Sequence, residues 1–244
     1  MPGNDGSGRV ALVTGASGSI GAACADRLRA DGFTVVSGWR STRPATGPSV
    51  RFDVTDADAV GAAVDEVEAE IGPIHVVVAN AGWAHLDLAI RTSPERFRAV
   101  VDANLTGAFL VARAALGPML RRRAGRIVLM GSVAGLWGVP GVASYSASKA
   151  GLHGLARSLA REVGSRSITV NVVAPGLLDN AVARIDDQRP VSTVTSDWIA
   201  TTPLQRAGTP EDVAGTVSFL ASDRAGFVTG TVIPVDGGFS MGIG

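Results

Sequence analysis

The chain has 244 residues, and its 22 acidic and 22 basic residues cancel to a formal net charge of zero. That balance gives no electrostatic reason to expect a nucleic acid or an anionic membrane as partner, and 46 % hydrophobic against 18 % charged residues excludes a disordered chain. A single cysteine, Cys24, excludes an internal disulfide and suits a reducing cytoplasm; no apolar run reads as a membrane span, and no metal site is expected.

In chain order, residues 1–8 (MPGNDGSG) lack the charged and apolar regions of a signal peptide and read as a flexible tail before one domain, 9–244. Seven short β-rich runs follow, RVALVT, FTVVSG, SVRFDV, IHVVVAN, GRIVLMGS, ITVNVVAP and TVIPVDG. Longer stretches of helical period lie between them at 19–31, 56–71, 94–122, 144–165 and 210–221. This alternation predicts an α/β fold, a doubly wound parallel sheet with helices on both faces, and the continuous valine runs suit strands buried on both sides. Residues 177–209, rich in proline and threonine, break the rhythm and read as a lid over a ligand site.

The first strand runs into TGASGSIG and then a helix. Gly15, Gly18 and Gly21 allow a tight turn and close backbone approach to a pyrophosphate, which would sit over Ser17, Ser19 and Ile20 at the positive end of the helix. The second strand ends in VVSGWRST, without the carboxylate that usually binds the ribose 2′-hydroxyl of NAD. Arg40 and Ser41 suit a 2′-phosphate instead, so the reading is NADP(H), with NADH the less favoured cofactor.

The stretch ASYSASKAGL holds the chain's only tyrosine, Tyr145, and only lysine, Lys149; the other 21 basic residues are arginine. On a helix, residues four apart share a face. A phenol, with an ordinary pKa near 10, becomes a useful acid/base near neutrality when a cation stabilises its phenolate. Arginine, planar and never deprotonated, is a poor substitute for that lysine.

The turn at 14–21, NAG at 80–82, NLTG at 104–107, GS at 131–132, Y-x-x-x-K at 145–149, PG at 175–176 and VTGTVIPVDGG at 228–238 follow one another over essentially the whole chain. Together they resemble the short-chain dehydrogenase/reductase family. The resemblance implies a Rossmann-type fold with a seven-stranded parallel sheet. It implies Tyr145 as proton donor to a ketone, Lys149 as its cation and ribose ligand, Ser132 as the hydroxyl holding the carbonyl, and Asn104 holding a water that relays protons towards Lys149. By the same resemblance, Asp53 and the Val54 backbone contact adenine, while Asn80, Ala81 and Gly82 wall the cofactor and tie strands together. Pro175, Gly176 and Leu178 would face the nicotinamide carboxamide.

The sequence also departs from the family pattern. Gly18 and Ser19 are exchanged in the turn, no second basic residue accompanies Arg40 there, and Asn180 stands where threonine is usual.

Within the family the pattern is most like 3-oxoacyl-[acyl-carrier-protein] reductases, of fatty-acid or polyketide type. Arg123 and Arg166 match basic residues used against the acidic carrier, read as a rim at the pocket mouth. Trp137 has two readings, a wall of the substrate channel or a core residue. The alternatives are an oxidoreductase for a free alcohol or ketone, and a non-catalytic nucleotide-binding subunit. Helices 94–122 and 144–165 would pack against copies of themselves in a homotetramer.

Overall fold

The computed structural model describes residues 8–179 and 197–241. Most of the expected tail and the middle of the expected lid, Asn180 included, lie outside the described residues.

All seven expected strands form: β1 (Val10–Thr14), β2 (Thr34–Trp39), β3 (Ser49–Arg51), β4 (Ile74–Ala79), β5 (Gly125–Met130), β6 (Ile168–Pro175) and β7 (Val232–Val235). Every pairing is parallel, in the order β3-β2-β1-β4-β5-β6-β7. Helices α1 (Ser19–Ala30) and α7 (Pro210–Ala221) cover one face; α2 (Ala57–Glu70), α4 (Gly107–Arg122) and α6 (Ala143–Val163) cover the other. In β1, Val10 and Leu12 belong to one layer and Ala11 and Val13 to the other. A strand that fills two cores needs apolar residues at successive positions, which is why these runs do not alternate. Cys24 lies in the second core, where burial pushes its thiol up to about 12 and leaves it unreactive.

The stretch 94–122 is not one regular helix. It comprises α3 (Pro94–Val101), a π-helical turn at Asp102–Thr106, and α4. By length and composition this stretch could cross a bilayer, contrary to the sequence reading, yet half of its apolar window is buried inside the protein. A short helix, α5 (Ala134–Trp137), precedes α6. Two ends of the expected lid meet at a parallel bridge between Leu178 and Gly208, and Trp198 beyond it stacks on Phe239 at 4.8 Å.

Strand order reverses between β1 and β4, so a crevice opens at the C-terminal edge of the sheet there. The entry to β4 is fixed by a pair joining α2 to α4. Arg122 Nη1 meets Glu68 Oε2 at 2.6 Å, Glu68 Oε1 accepts the Ile74 N–H at 2.8 Å, and Arg122 Nη2 donates to the Ile74 carbonyl at 2.8 Å. Arg122→Leu leaves the Ile74 carbonyl without its side-chain donor and Glu68 with the Ile74 N–H but no cation, in a mostly buried site. It is expected to cost about 2 kcal/mol in urea unfolding, with part of the loss returned by adding Glu68→Gln. Equal stability of Arg122→Leu and the parent would remove this role.

Candidate active site

The crevice is a cavity of about 700 Å³ lined from the ends of β1, β2, β4, β5 and β6. Its first end is the glycine turn. Gly15 has φ of +63°, and a Cβ there would stand 2.9 Å from Ala81 Cα; one on Gly21 would stand 2.3 Å from the Gly15 carbonyl oxygen. Bare backbone is therefore obligatory at both positions. Gly18 is different: it caps α1 with extended backbone, and its nearest neighbour would be 3.4 Å away. The glycine–serine exchange leaves the turn itself unstrained and puts Ser19 in an exposed position at the start of α1.

No side chain caps α1, so its first-turn amides face the cavity alongside Ser17, Ser19 and Ile20. Asn80 Nδ2 donates to the carbonyls of Thr14 (3.0 Å) and Gly15 (3.2 Å), and the Ala81 N–H bonds the Thr14 hydroxyl at 3.0 Å. These bonds lock the turn to the end of β4. The Ser17 hydroxyl donates to the Thr42 carbonyl, tying the turn to the loop after β2.

That loop presents Arg40 and Ser41 to the cavity. Arg40 Nη1 lies 3.4 Å from Asp53 Oδ2 in an exposed pair. Asp53 is held below the usual carboxylate range, first by the Thr55 N–H, then by the Thr55 hydroxyl and Arg40. Asp53 and Val54 line the same end, as do Trp39 and Phe52, two aromatic residues that the sequence reading passed over.

At the other end stand Ser132, Tyr145 and Lys149, with Pro175, Gly176 and Leu178 beside them. Ser132 follows β5, and its hydroxyl also accepts the Ala134 N–H at 3.1 Å. Burial raises the Tyr145 phenol, and a hydrogen bond with the Ser132 side chain lowers it in part. Lys149 is buried, its Nζ donating to the Met130 carbonyl at 2.7 Å and lying 5.5 Å from the Tyr145 ring centroid. Burial lowers its ammonium to about 8.

Asn104 is buried behind the cavity wall, in the π turn. Its Nδ2 donates to Trp83 O at 2.9 Å and Ser148 Oγ at 3.0 Å, and its Oδ1 accepts the Trp83 N–H at 2.9 Å. Ser148 Oγ in turn donates to the Tyr145 carbonyl at 2.7 Å. Both amide hydrogens of Asn104 are thus spent on the protein, and its side chain is a clamp. A Cβ on Gly82 would stand 2.6 Å from Asn104 Oδ1, so the clamp needs glycine there.

Two expectations are corrected. Trp137 is 59 % exposed and is no core residue. Arg123 reaches the segment that carries Arg166, its Nη2 donating to the Ser165 carbonyl at 3.0 Å. They precede β5 and β6, however, whereas the cavity lies past the C-terminal ends of those strands. A residue before a strand lies about 20 Å from one just after it, so the two arginines form no rim of their own chain's pocket.

The arrangement can place a hydride donor, anchored by phosphates at α1, against a carbonyl held by two hydroxyls. The family model described as enoyl-(acyl carrier protein) reductase matches residues 15–240. The 3-oxoacyl-[acyl-carrier-protein] reductase MabA of Mycobacterium tuberculosis is 46 % identical over 235 residues, covering 96 % of this chain and 94 % of the relative. FabG of Escherichia coli, a reductase of the same description, is 39 % identical over 245 residues, covering 96 % and 98 %. A crystal structure described as a gluconate dehydrogenase of Agrobacterium tumefaciens superposes with a TM-score of 0.90 at 30 % identity, covering 98 % of this chain and 99 % of that one.

The buried ammonium has a measurable signature. An unfolded chain with an ordinary lysine binds the proton more tightly than the folded one, so below about pH 8 the charge costs about 3 kcal/mol of stability, and the cost fades as pH rises towards 10.5. Lys149→Met is therefore expected to gain stability relative to the parent at pH 7 and to keep less than half of that advantage at pH 9.5. Chemical denaturation at the two pH values reads the difference, and a gap independent of pH refutes the shifted lysine.

Proposed function

Because the chain belongs to the short-chain dehydrogenase/reductase family, and is thus an oxidoreductase, we propose that it reduces a 3-oxoacyl thioester borne by a carrier protein to the 3-hydroxyacyl product, using NADPH. The observation that carries this reading is the convergence of Ser132, Tyr145 and Lys149 on one cavity wall, with Lys149 Nζ 5.5 Å from the Tyr145 ring centroid. Two hydroxyls converging on one point suit a carbonyl oxygen that gains charge and then a proton. The family description names an enoyl reductase, but relatives at 39–46 % identity reduce the oxo group, which the hydroxyl pair favours.

The turn and α1 would hold the pyrophosphate. Arg40 and Ser41 would hold the 2′-phosphate, Asp53 and Val54 the adenine side, Asn80–Gly82 the middle, and Lys149 with Pro175, Gly176 and Leu178 the nicotinamide end. When bound, the nicotinamide supplies the hydride. Ser132 donates a hydrogen bond to the substrate carbonyl and fixes its direction. Tyr145 passes its proton to the same oxygen; its raised pKa keeps it protonated, and so ready as an acid, across neutral pH. Lys149, largely charged below about pH 8, offsets the phenolate left behind.

A homotetramer in the cytoplasm accompanies this reading, with light scattering as its test. Arg123 and Arg166 would then dock the carrier from a position that reaches a neighbouring copy's pocket rather than their own. The second reading is a free ketone or alcohol as substrate, which the gluconate dehydrogenase likeness favours at lower identity.

The assay is NADPH oxidation with acetoacetyl-carrier protein, run beside NADH. Tyr145→Phe is expected to lower kcat by about 10³-fold while NADPH still binds. Arg40→Ala should raise the KM for NADPH roughly tenfold and leave that for NADH nearly unchanged, from the loss of one charge-assisted phosphate contact. Full activity of Tyr145→Phe would overturn the mechanism. Joint replacement Arg123→Glu and Arg166→Glu should raise KM for the carrier substrate alone; an equal rise for a carrier-free thioester would remove the docking role.

A further inference from the structure

One aromatic residue of the cavity wall carries on its ring a cation that the reduction itself does not use. Trp83 lines the cavity, and its backbone is held at both polar groups by Asn104, itself linked through Ser148 to the Tyr145 carbonyl. This indole is thereby fixed in the same framework as the reacting phenol. Over its ring lies the Arg96 guanidinium, 5.8 Å from the centroid. That stack orients a planar fork of donors without consuming any of them.

Arg96 is the third residue of α3, at the positive end of the helix, where a cation is disfavoured. Nothing in the helix compensates for it. Glu95 turns towards the Ser93 cap and pairs at 3.8 Å with Arg98, and among the described residues no carboxylate forms an ion pair with Arg96. Other cations at the cavity are engaged: Arg40 faces Asp53, and Lys149 is buried on the Met130 carbonyl. An exposed guanidinium, oriented on a cavity-lining indole and without an ion pair among the described residues, has the chemistry to pair with an anion on the substrate.

We propose that Arg96, seated on Trp83, is a specificity-determining residue that binds an anionic oxygen group of the substrate remote from its ketone, namely the phosphate of a pantetheine arm. Guanidinium pairs bidentately with phosphate or carboxylate, so a free keto acid is the other source of the same chemistry. The inference rests on the thioester reading above and deepens it.

The test uses the full-length enzyme with NADPH and four substrates: the acetoacetyl thioesters of carrier protein, of 4′-phosphopantetheine and of N-acetylcysteamine, the last without phosphate, and a carboxylate-bearing keto acid. Arg96→Glu is expected to raise KM about tenfold for the two phosphate-bearing thioesters, with kcat within about twofold and no change for the phosphate-free one. Arg96→Lys should restore most of the affinity, which a merely structural role would not predict. A rise confined to the keto acid supports the anion site and assigns its ligand to a free acid. Equal rises for all four substrates, or none, overturn the inference. Failure of the parent enzyme to reduce any thioester overturns the thioester reading itself, independently of Arg96.

Discussion

A parallel sheet buried on both faces has almost no room for polar side chains inside its strands, and this constraint organises the molecule. Each strand can afford chemistry only where it leaves the sheet. Thr14 with Gly15, Arg40, Asp53, Asn80, Ser132 and Gly176 all stand at or just past a strand's C-terminal end. Because all strands run the same way, those ends share one edge, and one cavity collects them. Where a polar side chain does enter β6, as at Asn171, it is satisfied by Val228 and Thr231 beside it.

The same constraint explains what could be read from letters alone. An apolar run closed by a polar or glycine residue names both a strand and a site position, so the strands, the glycine turn and Arg40 with Ser41 are legible from the residues. Asp53, Val54, Asn80 to Gly82, Pro175, Gly176 and Leu178 come only from the family resemblance. All of these site residues line the same cavity. Strand direction also argues against a rim role for Arg123 and Arg166 in their own chain, since both precede strands; charge alone suggested otherwise. Trp83 and Arg96 carry no local signal, because a tryptophan after NAG and an arginine in a helix's first turn acquire meaning only when Asn104 joins them. The π turn is equally silent: NLTG within 94–122 fits a helical period, and only tertiary bonds to Trp83 and Ser148 hold the wider geometry.

Electrostatics at the reacting end is a balance of opposing effects. Burial drives Tyr145 up and Lys149 down, each towards its uncharged form. The raised phenol holds its proton as an acid must, while desolvation brings both forms of the lysine alone within reach near neutral pH. Arginine stays charged under the same burial, which accounts for a chain that uses arginine everywhere else and lysine here.

The π turn at 102–106 has a consequence for how this chain can vary in length. Successive residues of an α-helix are about 100° apart, and a π turn holds one residue more than an α-helical path needs. Deleting any one residue there would yield a smoother helix, yet it would swing α3 a quarter-turn or more about the axis relative to α4. Val100 would then leave the core and Asn104 would turn away from Trp83. The surplus residue acts as a frame mark: insertions and deletions are tolerable on either side of the helix, but within it the reading frame of the side chains is fixed by the clamp.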